Sequence, residues 1–126
     1  MADGLLLCDD LIFTSRVTGI AGAHGLTFRT ARSLEALDAL LSSERPVCVI
    51  IDLGHPGLRV EELVRKVEAI TPRPRIVAYG SHVDAAGLKA AREAGCDLVL
   101  PRSAFVERLP EELPTWMVPL SEAPQP

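Results

Sequence analysis

The sequence predicts a single three-layer α/β domain built on a five-stranded parallel sheet. Two patterns and one size argument carry this. Short apolar runs alternate strictly with stretches of helical periodicity along the chain. Such alternation means parallel strands, right-handed crossovers and helices on both faces of the sheet. One run, residues 47–51 (VCVII), is nearly all β-branched and carries no polar residue, as a strand reads when both its faces are covered. A chain of 126 residues suits one core.

The elements follow in order. Residues 5–8 (LLLC) form a short apolar strand that ends on the acidic pair Asp9 and Asp10. Helical spacing then places Ile12, Phe13, Val17, Ile20 and Ala21 on one face, and Gly25 stops that helix. Residues 26–29 are a weaker strand. Ser33 is an N-cap for a helix with Leu34, Leu37, Leu40 and Leu41 inward. The strand at 47–51 ends on Asp52, and Gly54, Pro56 and Gly57 force a turn. A helix carries Val60, Leu63, Val64, Val67 and Ile70 inward as far as Thr71-Pro72. Residues 75–79 are the fourth strand, broken by Gly80-Ser81. Asp84 or Ser81 caps a helix with Leu88, Ala91 and Ala94 inward, ended by Gly95. Residues 98–100 are the last strand, and a short helix spans 104–113. The domain is thus read as 1–113 and the tail as 114–126, with four of the ten prolines and only Trp116 and Met117 packed.

Composition narrows function. A net charge of -4 with scattered Lys and Arg gives no basic patch for nucleic acid or an anionic membrane. Cys8, Cys48 and Cys96 are widely spaced, which excludes a disulfide framework and a zinc site, and they read as buried apolar residues in a reducing cytoplasm. No leader-like start and no run of membrane-spanning length is present. Dinucleotide, P-loop and G-x-S-x-G hydrolase signatures are missing. No enzyme activity is expected. Asp52, at the carboxyl end of a central strand, stands where open α/β sheets bind ligands, or else it caps its own loop.

The chain resembles the receiver domain of bacterial two-component response regulators from about Leu5 to Leu113. The resemblance implies a flavodoxin-like sheet of order 2-1-3-4-5. D-L-x-x-P-G fits Asp52, Leu53, Pro56 and Gly57, which implies that Asp52 is the phosphoacceptor. Asp9 and Asp10 fit the family's metal-binding acids, implying a magnesium site of Asp9, Asp10 and Asp52. Arg102 falls at the position of the family lysine, and Ser103 at that of its proline. Two departures follow. Gly80 falls where the family has a Thr or Ser hydroxyl, and Val99 where it has a switch aromatic.

Three clustered carboxylates repel one another unless a cation stands among them. Magnesium, or Arg102 paired with Asp52 or Asp10, is expected there. His55 and His82 lie on the same rim as solvated loop residues. The reading is a stand-alone receiver-like signalling domain acting by protein contact, its phosphorylation switch altered or lost. The alternatives are a functional phosphoacceptor in a phosphorelay, with a histidine kinase as partner, and a small flavodoxin-like binding domain. A homodimer is within the reading; nucleic acid and membrane are not. The contact face expected from the resemblance draws on Lys89, Arg92, Glu93, Arg102, Phe105 and Arg108, with Trp116 nearby; Phe105 and Trp116 are either its anchors or part of the domain's own core.

Overall fold

The computed structural model describes residues 1–122, so the last four residues of the 114–126 tail lie outside the described residues. Strands β1 (Gly4–Leu7), β2 (Phe28–Ala31), β3 (Cys48–Asp52), β4 (Arg75–Gly80) and β5 (Leu98–Pro101) alternate with helices α1 (Leu11–Ala23), α2 (Leu34–Ser43), α3 (Val60–Glu68), α4 (Ala85–Ala94) and α5 (Arg102–Trp116). The sheet runs β2-β1-β3-β4-β5, and every pair is parallel. This is the order expected from the resemblance. No described helix is long and apolar enough to cross a membrane.

Alternation along the strands divides the core in two. Leu5, Leu7, Val49, Ile51, Ile76 and Ala78 pack with Leu37, Leu63, Val67 and Leu88 of α2, α3 and α4. Leu6, Cys8, Ile50, Val77 and Tyr79 pack with Phe13 and Val17 of α1 and with Phe105, Leu109 and Leu113 of α5. The β3 residues Cys48 to Ile51 are wholly buried, as an unbroken apolar run demands. Ser33 caps α2, accepting from the Ala36 N–H at 3.1 Å. Asp84 caps α4, accepting from Gly87 at 3.0 Å. Gly95 ends α4 at φ 109°, a left-handed turn that a side chain would strain.

Three expectations are corrected. β2 begins two residues later than expected, because Leu26 approaches the core as a loop residue whose N–H bonds the Ala21 carbonyl at 2.9 Å. Ile12 is 81% exposed; only Phe13, Val17 and Ala21 of α1 are fully inward. α5 starts at Arg102 and runs through Trp116 despite Pro110 and Pro114. Pro114 has no N–H for the Pro110 carbonyl, and His24 Nε2 takes that bond at 3.0 Å. Arg75 closes the other end, donating from Nε to the Trp116 carbonyl at 3.2 Å and from Nη2 to Val118 at 3.3 Å.

Two outcomes follow from this packing. Ile50→Asp places a charge inside a strand with no surface to reach, so the variant should show no cooperative thermal transition by circular dichroism; a folded variant would overturn the assignment of β3. Burial also pushes the Cys48 thiol from 9.0 up to about 12 and the Cys96 thiol up to about 11. The folded state then keeps thiols that the unfolded chain ionises. Their contribution is complete below about pH 9 and is lost as pH rises toward 11–12. The guanidinium midpoint should fall across that window.

Candidate functional site

All five strands end on one edge, and the predicted residues gather there. Asp9 and Asp10 follow β1, Asp52 ends β3, and Arg102 opens α5 directly after β5. β1 and β4 flank β3, so the acids leave neighbouring strands. The fold brings them to one rim but engages each differently.

Asp10 is the N-cap of α1: its Oδ1 accepts from the Phe13 N–H at 3.1 Å, satisfying a donor that the helix start leaves free. Its Oδ2 faces Arg102, whose Nη2 stands 3.7 Å away. The Arg102 guanidinium also lies over the Phe13 ring, 4.7 Å from its centroid, and 5.8 Å from that of Tyr79. A planar cation suits that aromatic bed better than an ammonium would. Of the two partners open to Arg102, the structure pairs it with Asp10. Both side chains are about half exposed, so the ion pair itself contributes no more than about 1 kcal/mol. Asp9 turns instead toward Arg32, 3.5 Å away in the loop after β2.

Asp52 is half-buried. Its Oδ1 accepts from the Gly54 N–H at 2.8 Å, so it does close its own turn. Among the described residues it has no ion-pair partner, whereas Asp9 and Asp10 each have one. Also among the described residues, no three His, Cys, Asp or Glu side chains gather as ligands for a metal ion. His55 and His82 stay in the rim loops, but only His82 is exposed as expected; His55 is half-buried, its Nδ1 shielded and without a hydrogen-bond partner among the described residues. A cleft of about 720 Å³ opens beside Asp52, lined also by Tyr79, Gly80, Ser81, His82, Arg102 and Val106.

Beneath the rim, Tyr79 packs tilted against both Phe13 and Phe105, each 4.7 Å between centroids, and those two rings stack on each other at 5.7 Å. Burial pushes its phenol well above the usual tyrosine range; the Cys8 thiol and the Asp52 charge add to this, and Arg102 works against it. The Cys8 thiol itself faces the Asp10 carbonyl, at 3.6 Å, and the Tyr79 hydroxyl has no hydrogen-bond partner among the described residues. A side chain at Gly80 would put its Cβ 3.3 Å from Leu53 Cβ and 3.5 Å from Leu88 Cδ2. Leu53 thus stands beside the position where the resemblance leads one to expect a hydroxyl. Val99 sits in the core with Leu88 and Ala91.

Sequence reasoning missed Arg32, Phe13 as a seat for Arg102, and Tyr79. Arg32 was findable only once β2 was placed beside β1. Tyr79 shares the parity of Val77 on β4, and that was legible. On the expected contact face, Phe105 and Trp116 are buried in the domain's own core.

No family model matches the chain. A curated relative, Sporulation initiation phosphotransferase F of Bacillus subtilis, is 28% identical over 69 residues. That match spans 55% of this chain and 55% of the relative, about half of each. Among solved structures, a response regulator receiver domain from Bermanella marisrubri is 19% identical with a TM-score of 0.79, covering 94% of this chain and 100% of that one. A response regulator from Burkholderia pseudomallei, described with a phosphorylated aspartic acid, a calcium ion and citrate, is 19% identical with a TM-score of 0.73 over 86% of this chain and 64% of that one. With the sheet order and the acids on its carboxyl edge, these likenesses identify the fold of the chain as that of the response regulator receiver domain.

Proposed function

We propose that the chain is a receiver-type signalling domain that works through protein contact, with the route from Asp52 to the α4–β5–α5 face lost. The observation that carries this is the pair Gly80 and Val99. Transmission by a receiver needs two arrangements of one face, and a ligand shifts their balance only if it contacts them differently. Gly80 has no side chain to sense a group on Asp52, and Leu53 takes up the space beside it. Val99 is stiff at χ1 and too short to swing between core and surface.

The charge balance supports the same reading. Magnesium asks for carboxylates with free oxygens plus water. Here Asp10 spends one oxygen on the Phe13 N–H and faces Arg102 with the other, and Asp9 faces Arg32. As arranged, the acids do not fit a resident divalent cation, and Arg102 supplies the positive charge in its place. A second reading, Asp52 as a working phosphoacceptor served by a histidine kinase, draws on Asp52 itself, which stands at the end of β3 with no ion-pair partner among the described residues. It also draws on the relative's name and on the phosphorylated aspartic acid of the Burkholderia protein.

Two measurements test this. Magnesium in the millimolar range should leave the melting temperature of the unmutated chain unchanged. Arg102→Ala, by freeing Asp10, should gain a magnesium-dependent rise of a few degrees. Strong stabilisation of the unmutated chain would overturn the role given to Arg102. The second is backbone-amide NMR with beryllofluoride and magnesium as a phosphoryl mimic. Shifts should stay in the loops beside Asp9, Asp10 and Asp52, or be absent. Large shifts spreading across residues 84–108 would establish the working switch instead.

A further inference from the structure

Two buried side-chain polar atoms have no hydrogen-bond partner among the described residues, His55 Nδ1 and the Tyr79 hydroxyl. Tyr79 is only 1% exposed, yet it lines the cleft of about 720 Å³ beside Asp52. Its neighbour Cys8 is a weak acceptor, and that thiol faces the Asp10 carbonyl instead. The charges of Asp52 and Arg102 both act on the phenol, and both residues line the same cleft. The unpaired hydroxyl therefore stands at the charged end of the cleft. A buried hydroxyl without a partner is costly, and a ligand that accepts from it removes that cost.

The other walls suit a flat molecule. Gly54 and Gly80 border the cleft without side chains, and Val106 adds an apolar surface. The volume lies within the roughly 300–1,000 Å³ usual for small-molecule sites. Asp52 accepts from the Gly54 N–H at 2.8 Å and has no ion-pair partner among the described residues. Most of the about four acceptor positions of a carboxylate thus stay open. Arg102 is a donor on the same cleft. Its Nη2 faces Asp10 at 3.7 Å, and a guanidinium fork has further N–H groups to offer.

We infer that this cleft binds a neutral heterocycle of the guanine type, its adjacent N–H donors on Asp52 and its carbonyl and ring-nitrogen acceptors toward Tyr79 and Arg102. Charge selects the class. A cationic ligand would meet Arg102, and an anionic one would meet Asp52. A neutral ring that carries donors on one edge and acceptors on the next satisfies both without adding a charge. A carboxylate takes two neighbouring N–H groups at once, and a guanidinium fork suits a carbonyl beside a ring nitrogen. The ring itself then lies against Val106 and the bare backbone of Gly54 and Gly80. This goes beyond the reading of the chain as a contact module and does not rest on it; it gives the cleft a small-molecule input of its own.

The test is an amide NMR titration of the full chain with guanosine, and with adenosine as the control. Adenosine has a similar shape, but it lacks the carbonyl and has no ring N–H beside its amino group. Guanosine should give saturable shifts at residues 52–54, 79–82 and 102–106, at least about tenfold tighter than adenosine. Asp52→Asn, checked as folded by its spectrum, should remove that preference. Tyr79→Phe deletes only the unpaired hydroxyl, so its melting temperature should not fall while its guanosine affinity drops severalfold. No saturation by guanosine, equal binding of adenosine, or a preference that survives Asp52→Asn would each overturn the inference. So would a Tyr79→Phe variant that melts lower or binds guanosine as the unmutated chain does. Inorganic phosphate that shifts the same residues at equal affinity would also overturn it, by marking a simple anion site.

Discussion

The structure depends on β3 being covered from both sides. Each of its residues from Cys48 to Ile51 is excluded from water, so β1 and β4 must pair on its two edges and helices must close both faces. Parallel pairing then puts every strand's carboxyl end on one rim. That single constraint decides where Asp10, Asp52 and Arg102 can meet, since no loop has to be long to bring them together. It also explains why the rim is polar while the strands below it are not: Asp52 is the first residue of β3 to regain water.

What could be read from the chain divides along the same line. Strand–helix alternation, the capping roles of Ser33 and Asp84, and the acids at strand ends are local signals, and each corresponds to an element or position in the fold. The orientation of α1 was not local. Its sequence, LIFTSRVTGIAGA, holds one charged residue, Arg16, so polar residues do not mark an outer face and more than one stripe fits the period. Ile12 went outward because Phe13 has aromatic partners at Tyr79 and Phe105. The length of α5 was obscured for a different reason. The expected end at Leu113 lies just before Pro114, which cannot donate to the Pro110 carbonyl, yet His24 takes up that carbonyl and Leu109 and Leu113 hold the helix in the core.

The site was legible in its membership but not in its pairing. The sequence could place Arg102 near both Asp52 and Asp10. Choosing between them required Phe13, one helical turn into α1, as a surface for the guanidinium. A weak, half-exposed ion pair would not fix the side chain by itself. Cation and ring together direct it to Asp10, and among the described residues Asp52 is the one acid of the three without an arginine partner. Asp9 shows the same dependence on distant chain, because Arg32 reaches it only through the pairing of β2 with β1.

The proposed loss of the switch is, through Gly80 and Leu53, a matter of packing as well as of one missing hydroxyl. A receiver that toggles needs room for a side chain to move between two positions, and packed interiors offer such room only where it is kept open. Here a Cβ added at Gly80 would press on Leu53, 3.3 Å from its Cβ, and make ordinary contact with Leu88 at 3.5 Å. A hydroxyl-bearing residue placed there needs Leu53, which sits next to Asp52 in the chain, to give by a few tenths of an ångström. Val99 meanwhile fills its place in the core with a branched, inflexible group. The two departures fit the proposed reading together: a small residue at 80 has Leu53 close beside it, and a short one at 99 offers no aromatic to fill space that a moving hydroxyl would vacate.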